Sequence, residues 1–153
     1  MPDPADTRIV VNSRILGDLA IQISEESESS KPNARTLLTV VRKRQHVICI
    51  TDNIVKEYAK TENDGQYLDL RGLLTSTVLQ LRDMGIAKRC RTGPMPDSRV
   101  LAGFGDQHKV FLQDAFRIRA KYLLTMNQTW LEKGAVGAVQ IVSTARYVQL
   151  QEN

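Results

Sequence analysis

Short β-branched runs separated by stretches with helical spacing constrain this chain more than any other feature. Arg8-Ile9-Val10-Val11 has strand character and stops at the polar pair Asn12-Ser13, after which Ile15, Leu16, Leu19, Ala20 and Ile23 recur on one helix face. His46 to Thr51, Ile86 to Arg91, Tyr122 to Thr125 and Val139 to Val142 repeat the strand pattern. Between them lie helical segments: one through Leu37 to Val41 ending in Arg42-Lys43-Arg44, one capped by Asp52, and a long one from Leu68 to Leu81 stopped by Gly85. A further helix capped by Asp106 carries Phe111, Leu112, Ala115, Phe116 and Ile118, and Trp130 and Leu131 open a short one. The order β-α-α-β-α-α-β-α-β-α-β favours an α/β domain with a mainly parallel sheet of about five strands and helices on both faces.

A length of 153 residues suits one core, so a single domain over 1–153 is expected, with Met1 to Thr7 as a polar tail. Against 17 acidic residues stand 21 Lys and Arg, giving a net charge of +4, which permits a polyanionic partner. With four Tyr, three Phe and one Trp, several of them in core positions, a base-stacking platform is not expected. No run reaches the roughly 18 apolar residues of a membrane span, and the start is not signal-like. Cys49 and Cys90 share no CxxC spacing, which fits a reduced, cytoplasmic chain. Gly103-x-Gly105 is too short for a dinucleotide fingerprint and there is no P-loop, so no nucleotide cofactor is expected from sequence motifs.

In an open parallel sheet, ligands bind at the carboxyl ends of the strands. Asn12, Asp106 and Asn127 fall at such ends or at a helix start, and Glu57 lies one turn into the helix after the second strand, able to point into the same crevice. The plain alternatives are that both asparagines are turn residues, that Asp106 only caps its helix, and that Glu57 is a solvated partner of Lys60. Asp114 reads as a surface partner of Arg117, His46 as structural, and Trp130 as packing beneath the last strand. The stretch up to Gly103-Phe104-Gly105 reads as irregular and mobile.

These four stations resemble those of the PIN-domain family. Ile9-Val10-Val11-Asn12-Ser13-Arg14-Ile15-Leu16 is similar to its opening strand with Asn for Asp, and Thr51-Asp52-Asn53-Ile54-Val55-Lys56-Glu57-Tyr58 to its second motif with Glu57 retained. The stretch Gly105 to Ala115 is similar to the third motif, where the family position falls on Asp106 or on His108. Tyr122-Leu123-Leu124-Thr125-Met126-Asn127 is similar to the fourth, again with Asn for Asp, and Val139 to Thr144 to the final strand and turn.

The resemblance implies a three-layer PIN-like fold and a Mg²⁺- or Mn²⁺-dependent endoribonuclease, often the toxin of a toxin/antitoxin pair or an RNA-processing factor. Under it, Asn12, Glu57, Asp106 and Asn127 hold the metal, Glu57 and Asp106 are catalytic, and Ser13 or Thr125 orients water or phosphate. Because Mg²⁺ prefers hard anionic oxygens, two amides in place of two carboxylates weaken the site. The alternative is a catalytically inactive module that binds RNA or a protein partner, or a subunit of a homodimer or larger assembly. Arg14, Arg42, Lys43 and Arg44 are the expected nucleic-acid contacts, and Lys88, Arg89, Arg91, Arg117, Arg119 and Lys121 form further basic clusters.

Overall fold

The computed structural model describes residues 7–25, 32–65, 72–106 and 108–152. The expected tail up to Asp6, most of the Ser- and Glu-rich stretch Ser24 to Asn33 that reads as a loop, and the first turn expected of the long helix, with Leu68 and Leu70, lie outside them. The elements run β1 (Arg8–Val11), α1 (Ser13–Glu25), α2 (Pro32–Arg44), β2 (Val47–Ile50), α3 (Asp52–Glu62), α4 (Leu74–Asp83) and β3 (Ala87–Arg89). They continue as α5 (Lys109–Arg117), β4 (Tyr122–Leu124), α6 (Gln128–Lys133), β5 (Ala135–Val136), β6 (Val139–Val142) and α7 (Thr144–Gln151).

The strands form one six-stranded sheet in the order β3-β2-β1-β4-β6-β5, parallel except for β5, and the fold is α/β in an arrangement consistent with three layers. In parallel register Ile9 lies beside Tyr122 and Val11 beside Leu124. Alternation along a strand therefore puts Ile9, Val11 and Tyr122 on one face, where Tyr147 of α7 stacks edge-on against Tyr122. Arg8 and Val10 lie on the other face, and α5 packs on β1 and β4. Ile9, Val10, Val11, Leu123 and Leu124 are completely buried, as the continuous apolar character of a doubly covered parallel strand requires.

Several local expectations shift. Thr51, not Asp52, caps α3: β2 ends at Ile50, leaving Thr51 extended with its hydroxyl accepting from Ile54 N at 3.0 Å. Asp52 becomes the first helical residue and pairs with Arg89. Leu73 offers α4 no side-chain cap, and the buried Glu62 supplies one from the end of α3, Oε2 accepting from Leu74 N at 3.0 Å and Thr75 N at 3.3 Å. Asp106 does not cap α5, which begins after His108.

The hairpin β5–β6 and the helix α7, capped by Ser143, were not expected. The hairpin turn depends on Gly137, which has φ +58°, and a Cβ there would stand 2.7 Å from the Phe116 ring. Asp114 is paired with Arg117 as expected, at 3.2 Å, but it is buried rather than on the surface, with its other oxygen held by the Thr51 hydroxyl. The stretch before Gly105 is irregular yet anchored: Leu101 and Phe104 are buried, and the Trp130 indole donates to the Phe104 carbonyl at 3.0 Å. Trp130, fully buried, packs from α6 toward β6 as its apolar bulk demands.

Candidate functional site

Strand order reverses at β1, which lies between β2 and β4, and the crevice of such a sheet opens at the carboxyl ends of the strands flanking that point. Here Asn12 ends β1 and Asn127 follows β4. A cavity of about 120 Å³ opens there, lined by Asn12, Ser13, Arg14, Thr61, His108, Phe111, Thr125, Asn127 and Trp130.

Both asparagines work for the backbone. Asn12 Oδ1 accepts from Ile15 N at 3.0 Å, and Asn127 Oδ1 from Trp130 N at 3.1 Å, so each satisfies an amide of the first turn of α1 or α6. Asn12 Nδ2 donates to Thr125 Oγ1 at 2.8 Å, and the same hydroxyl accepts from Asn127 N at 3.1 Å. Thr125, fully buried, is thus the joint between the two stations. Ser13 Oγ lies 2.9 Å from Thr61 Oγ1, which is itself 3.1 Å from the Glu57 carbonyl. Thr61 stands one turn after Glu57 on the same helix face, and that spacing could have marked it in the sequence.

Glu57 is buried, not solvated. Its Oε1 lies 3.1 Å from His108 Nδ1, and Lys60 Nζ is 3.7 Å from Oε2. His108 is a non-glycine residue with φ +58°, a conformation that costs on the order of 1 kcal/mol, and it ends the irregular segment where α5 begins. Of the two third-motif positions, His108 lines the crevice. Asp106 has a fully exposed side chain 3.8 Å from Lys109 and is not among the lining residues, because α5 starts two residues later than a cap at Asp106 would require.

Arg14 lines the crevice. Arg42, Lys43 and Arg44 are exposed but sit at the C-terminal end of α2, just before β2 begins, and hence at the opposite edge of the sheet. Arg44 there donates to the Gln151 carbonyl.

For a divalent cation, the lining of the crevice offers two neutral amide oxygens that already accept helix N–H groups and no carboxylate, Glu57 meeting it only through its contact with the lining His108. Among the described residues no group of three or more His, Cys, Asp or Glu side chains gathers as a metal site. That donor set does not fit the hard, anionic cage Mg²⁺ selects. What the arrangement does provide is the positive ends of α1 and α6, with Arg14 beside them, which favour an anion.

No family model, curated protein or solved structure matches the chain. The fold and site define an open α/β domain with a polar crevice at its switch point. No helix among the described residues is long and apolar enough to cross a membrane.

Proposed function

We propose that this chain is a PIN-like domain that holds the phosphate backbone of RNA at its carboxyl-edge crevice without cutting it. The observation that carries the reading is the state of the four stations: two have become neutral helix caps, and the remaining carboxylate, Glu57, is held by His108 and Lys60. Removal of negative charge from a crevice framed by two helix N-termini turns a cation site into a surface that attracts phosphate. Arg14 at the mouth adds a guanidinium suited to a phosphodiester oxygen.

Support also comes from the net charge of +4 and from the order of the motifs, which resembles that of the family over nearly the whole chain. The retained Glu57 is what favours the second reading, a nuclease with a weakened Mg²⁺ or Mn²⁺ site. Fluorescence anisotropy with a labelled single-stranded RNA, run across a salt series, separates the two. The binding module predicts salt-sensitive affinity, a shallower salt slope by about one unit in Arg14→Ala, and intact RNA in the presence of Mn²⁺. Mn²⁺-dependent RNA loss that Glu57→Gln abolishes would establish the nuclease instead, and absence of RNA binding at low salt would sink both.

A further inference from the structure

A second and larger cavity, of about 590 Å³, lies at the end of α5 on the sheet face that carries this helix, near the amino-terminal ends of β1 and β4. Its volume falls in the range of small-molecule sites, roughly 300–1,000 Å³. Four arginines from three stretches of chain line it: Arg8 at the start of β1, Arg91 after β3, and Arg117 and Arg119 in the last turn of α5 and the turn that follows. No carboxylate is among the lining residues. We propose that this cavity binds a small organic phosphate of about mononucleotide size.

The four guanidiniums divide the work. Arg117 builds the wall: Nε donates to the Gly93 carbonyl at 3.1 Å, one terminal nitrogen to Asp114 at 3.2 Å and the other to Thr92 Oγ1 at 3.3 Å. Those bonds, with Gly93 N donating to the Arg117 carbonyl at 2.7 Å, tie the loop after β3 to the helix and fix the mouth. Arg8 is anchored by one terminal nitrogen on the Ile118 carbonyl at 2.9 Å, while its Nε is buried and has no hydrogen-bond partner among the described residues. That buried, unpaired donor keeps positive charge in the wall with no acceptor beside it to offset it. Arg91 and Arg119 are exposed and have no side-chain partner among the described residues. Arg119 is moreover held at φ +57°, where Gly or Asn would be cheaper, so the turn carries a cation at a conformational cost.

The chemistry of the ligand follows from the lining. Guanidinium forks match phosphate oxygens in pairs, and Arg is the side chain suited to that recognition. Apart from Thr92, the rest of the wall is apolar, with Phe116, Ile118, Pro94 and Val139, and accommodates a flat or aliphatic body attached to the phosphate. Phe116 is fixed in place, since its ring fills the space beside Gly137. A polymer backbone would call for a track of cations, whereas these four line one cavity. Phosphate loops and dinucleotide turns are local motifs, so their absence from the sequence says nothing about a site assembled from distant segments. The proposal is independent of the crevice at the opposite edge of the sheet.

The test is calorimetric titration of the full chain with AMP, ATP, ribose 5-phosphate and inorganic pyrophosphate. Two double variants accompany it: Arg91→Ala/Arg119→Gly, in which glycine suits the left-handed backbone, and Arg42→Ala/Lys43→Ala, which removes the same charge from exposed positions on α2, the helix that packs with α7 on the other face of the sheet. The expected result is binding of at least one organic phosphate, weakened about tenfold or more in the first variant and retained in the second. No binding at millimolar ligand, equal weakening in both variants, or pyrophosphate binding as tightly as every organic phosphate would overturn the proposal. The last outcome would mean that the apolar wall plays no part.

Discussion

Restoring acidic side chains at both asparagine stations, in Asn12→Asp/Asn127→Asp, should convert the crevice into a Mn²⁺ site without unfolding the domain. Each new carboxylate keeps an oxygen for the cap that Asn12 and Asn127 now make at 3.0 and 3.1 Å. At station 12 the lost amide donor is replaced from the other side, because the Thr125 hydroxyl, which now accepts at 2.8 Å, can turn and donate to the carboxylate. A negative charge at the start of α1 or α6 also opposes the helix dipole favourably, by about 0.3–1 kcal/mol each. The double variant should therefore be as stable as the parent to within about 1 kcal/mol in the absence of metal. Two carboxylates in the lining, with Glu57 bonded to the lining His108, would then be offered to a hard cation. Metal present at about 100 times its Kd would add about 2.7 kcal/mol to unfolding, whereas the parent should gain less than about 0.5 kcal/mol. Urea unfolding with EDTA or with millimolar Mn²⁺ reads both numbers, and Glu57→Gln in the double-variant background should remove most of the gain. A folded double variant indifferent to Mn²⁺ would refute the convergence of these stations. A parent stabilised as strongly as the variant would refute the argument that neutral amides cannot hold the ion.

Glu62→Ala should cost about 1–3 kcal/mol, because two buried amides of α4 lose their acceptor, and hydrogen exchange should show the loss concentrated at Leu74 and Thr75; uniform protection there would refute it. Asp114→Ala should cost about 3–5 kcal/mol in urea unfolding by leaving the Thr51 hydroxyl and Arg117 without their buried partner, and Asp114→Asn less, whereas a change under about 1 kcal/mol would mean the pair is not buried in solution. His46, bonded to the Tyr147 hydroxyl at 2.6 Å, has its pKa held below the usual 6.5 by burial first and then by Lys121 and Arg44. The unfolded chain then takes up a proton before the folded one, so this contribution is intact above about pH 6.5 and declines as pH falls below it toward the lowered folded pKa. His46→Gln should show a flatter stability profile than the parent between pH 7 and the acid side, and parallel profiles would contradict the assignment.

The strands that the sequence reveals are those with β-branched runs buried on both faces, such as Ile9-Val10-Val11 and Tyr122-Leu123-Leu124, because burial on two sides leaves a pattern that needs no knowledge of neighbours. β5 leaves none: it is two residues long and exists through Gly137 and its pairing with β6. Asp114 and Arg117 look like a surface pair because i,i+3 spacing is the same on either side of a helix, and only the crossing of α5 over the start of α3 decides which side is inside. The sequence places Asn12 and Asn127 at the crevice because strand ends locate them on their own, whereas Glu57, located by helix spacing, meets the crevice only through His108. Whether Asp106 or His108 enters the crevice depends on where α5 begins, and the left-handed residue that sets that start carries no sequence signal when it is a histidine. The cap that Glu62 gives α4 joins residues 12 apart in the chain, a separation that no helical or strand spacing marks, so only the folded structure displays it.

The two flanks of the sheet bear on how copies of this chain meet. β3 ends one side with Lys88 and Arg89 exposed, and β5 ends the other after two residues. Charged side chains on one border and a truncated ladder on the other are the devices by which β-proteins discourage strand addition and runaway polymerisation. A second molecule that associates with this one would therefore do so through helical or crevice surfaces, leaving the ladder of backbone hydrogen bonds closed to extension.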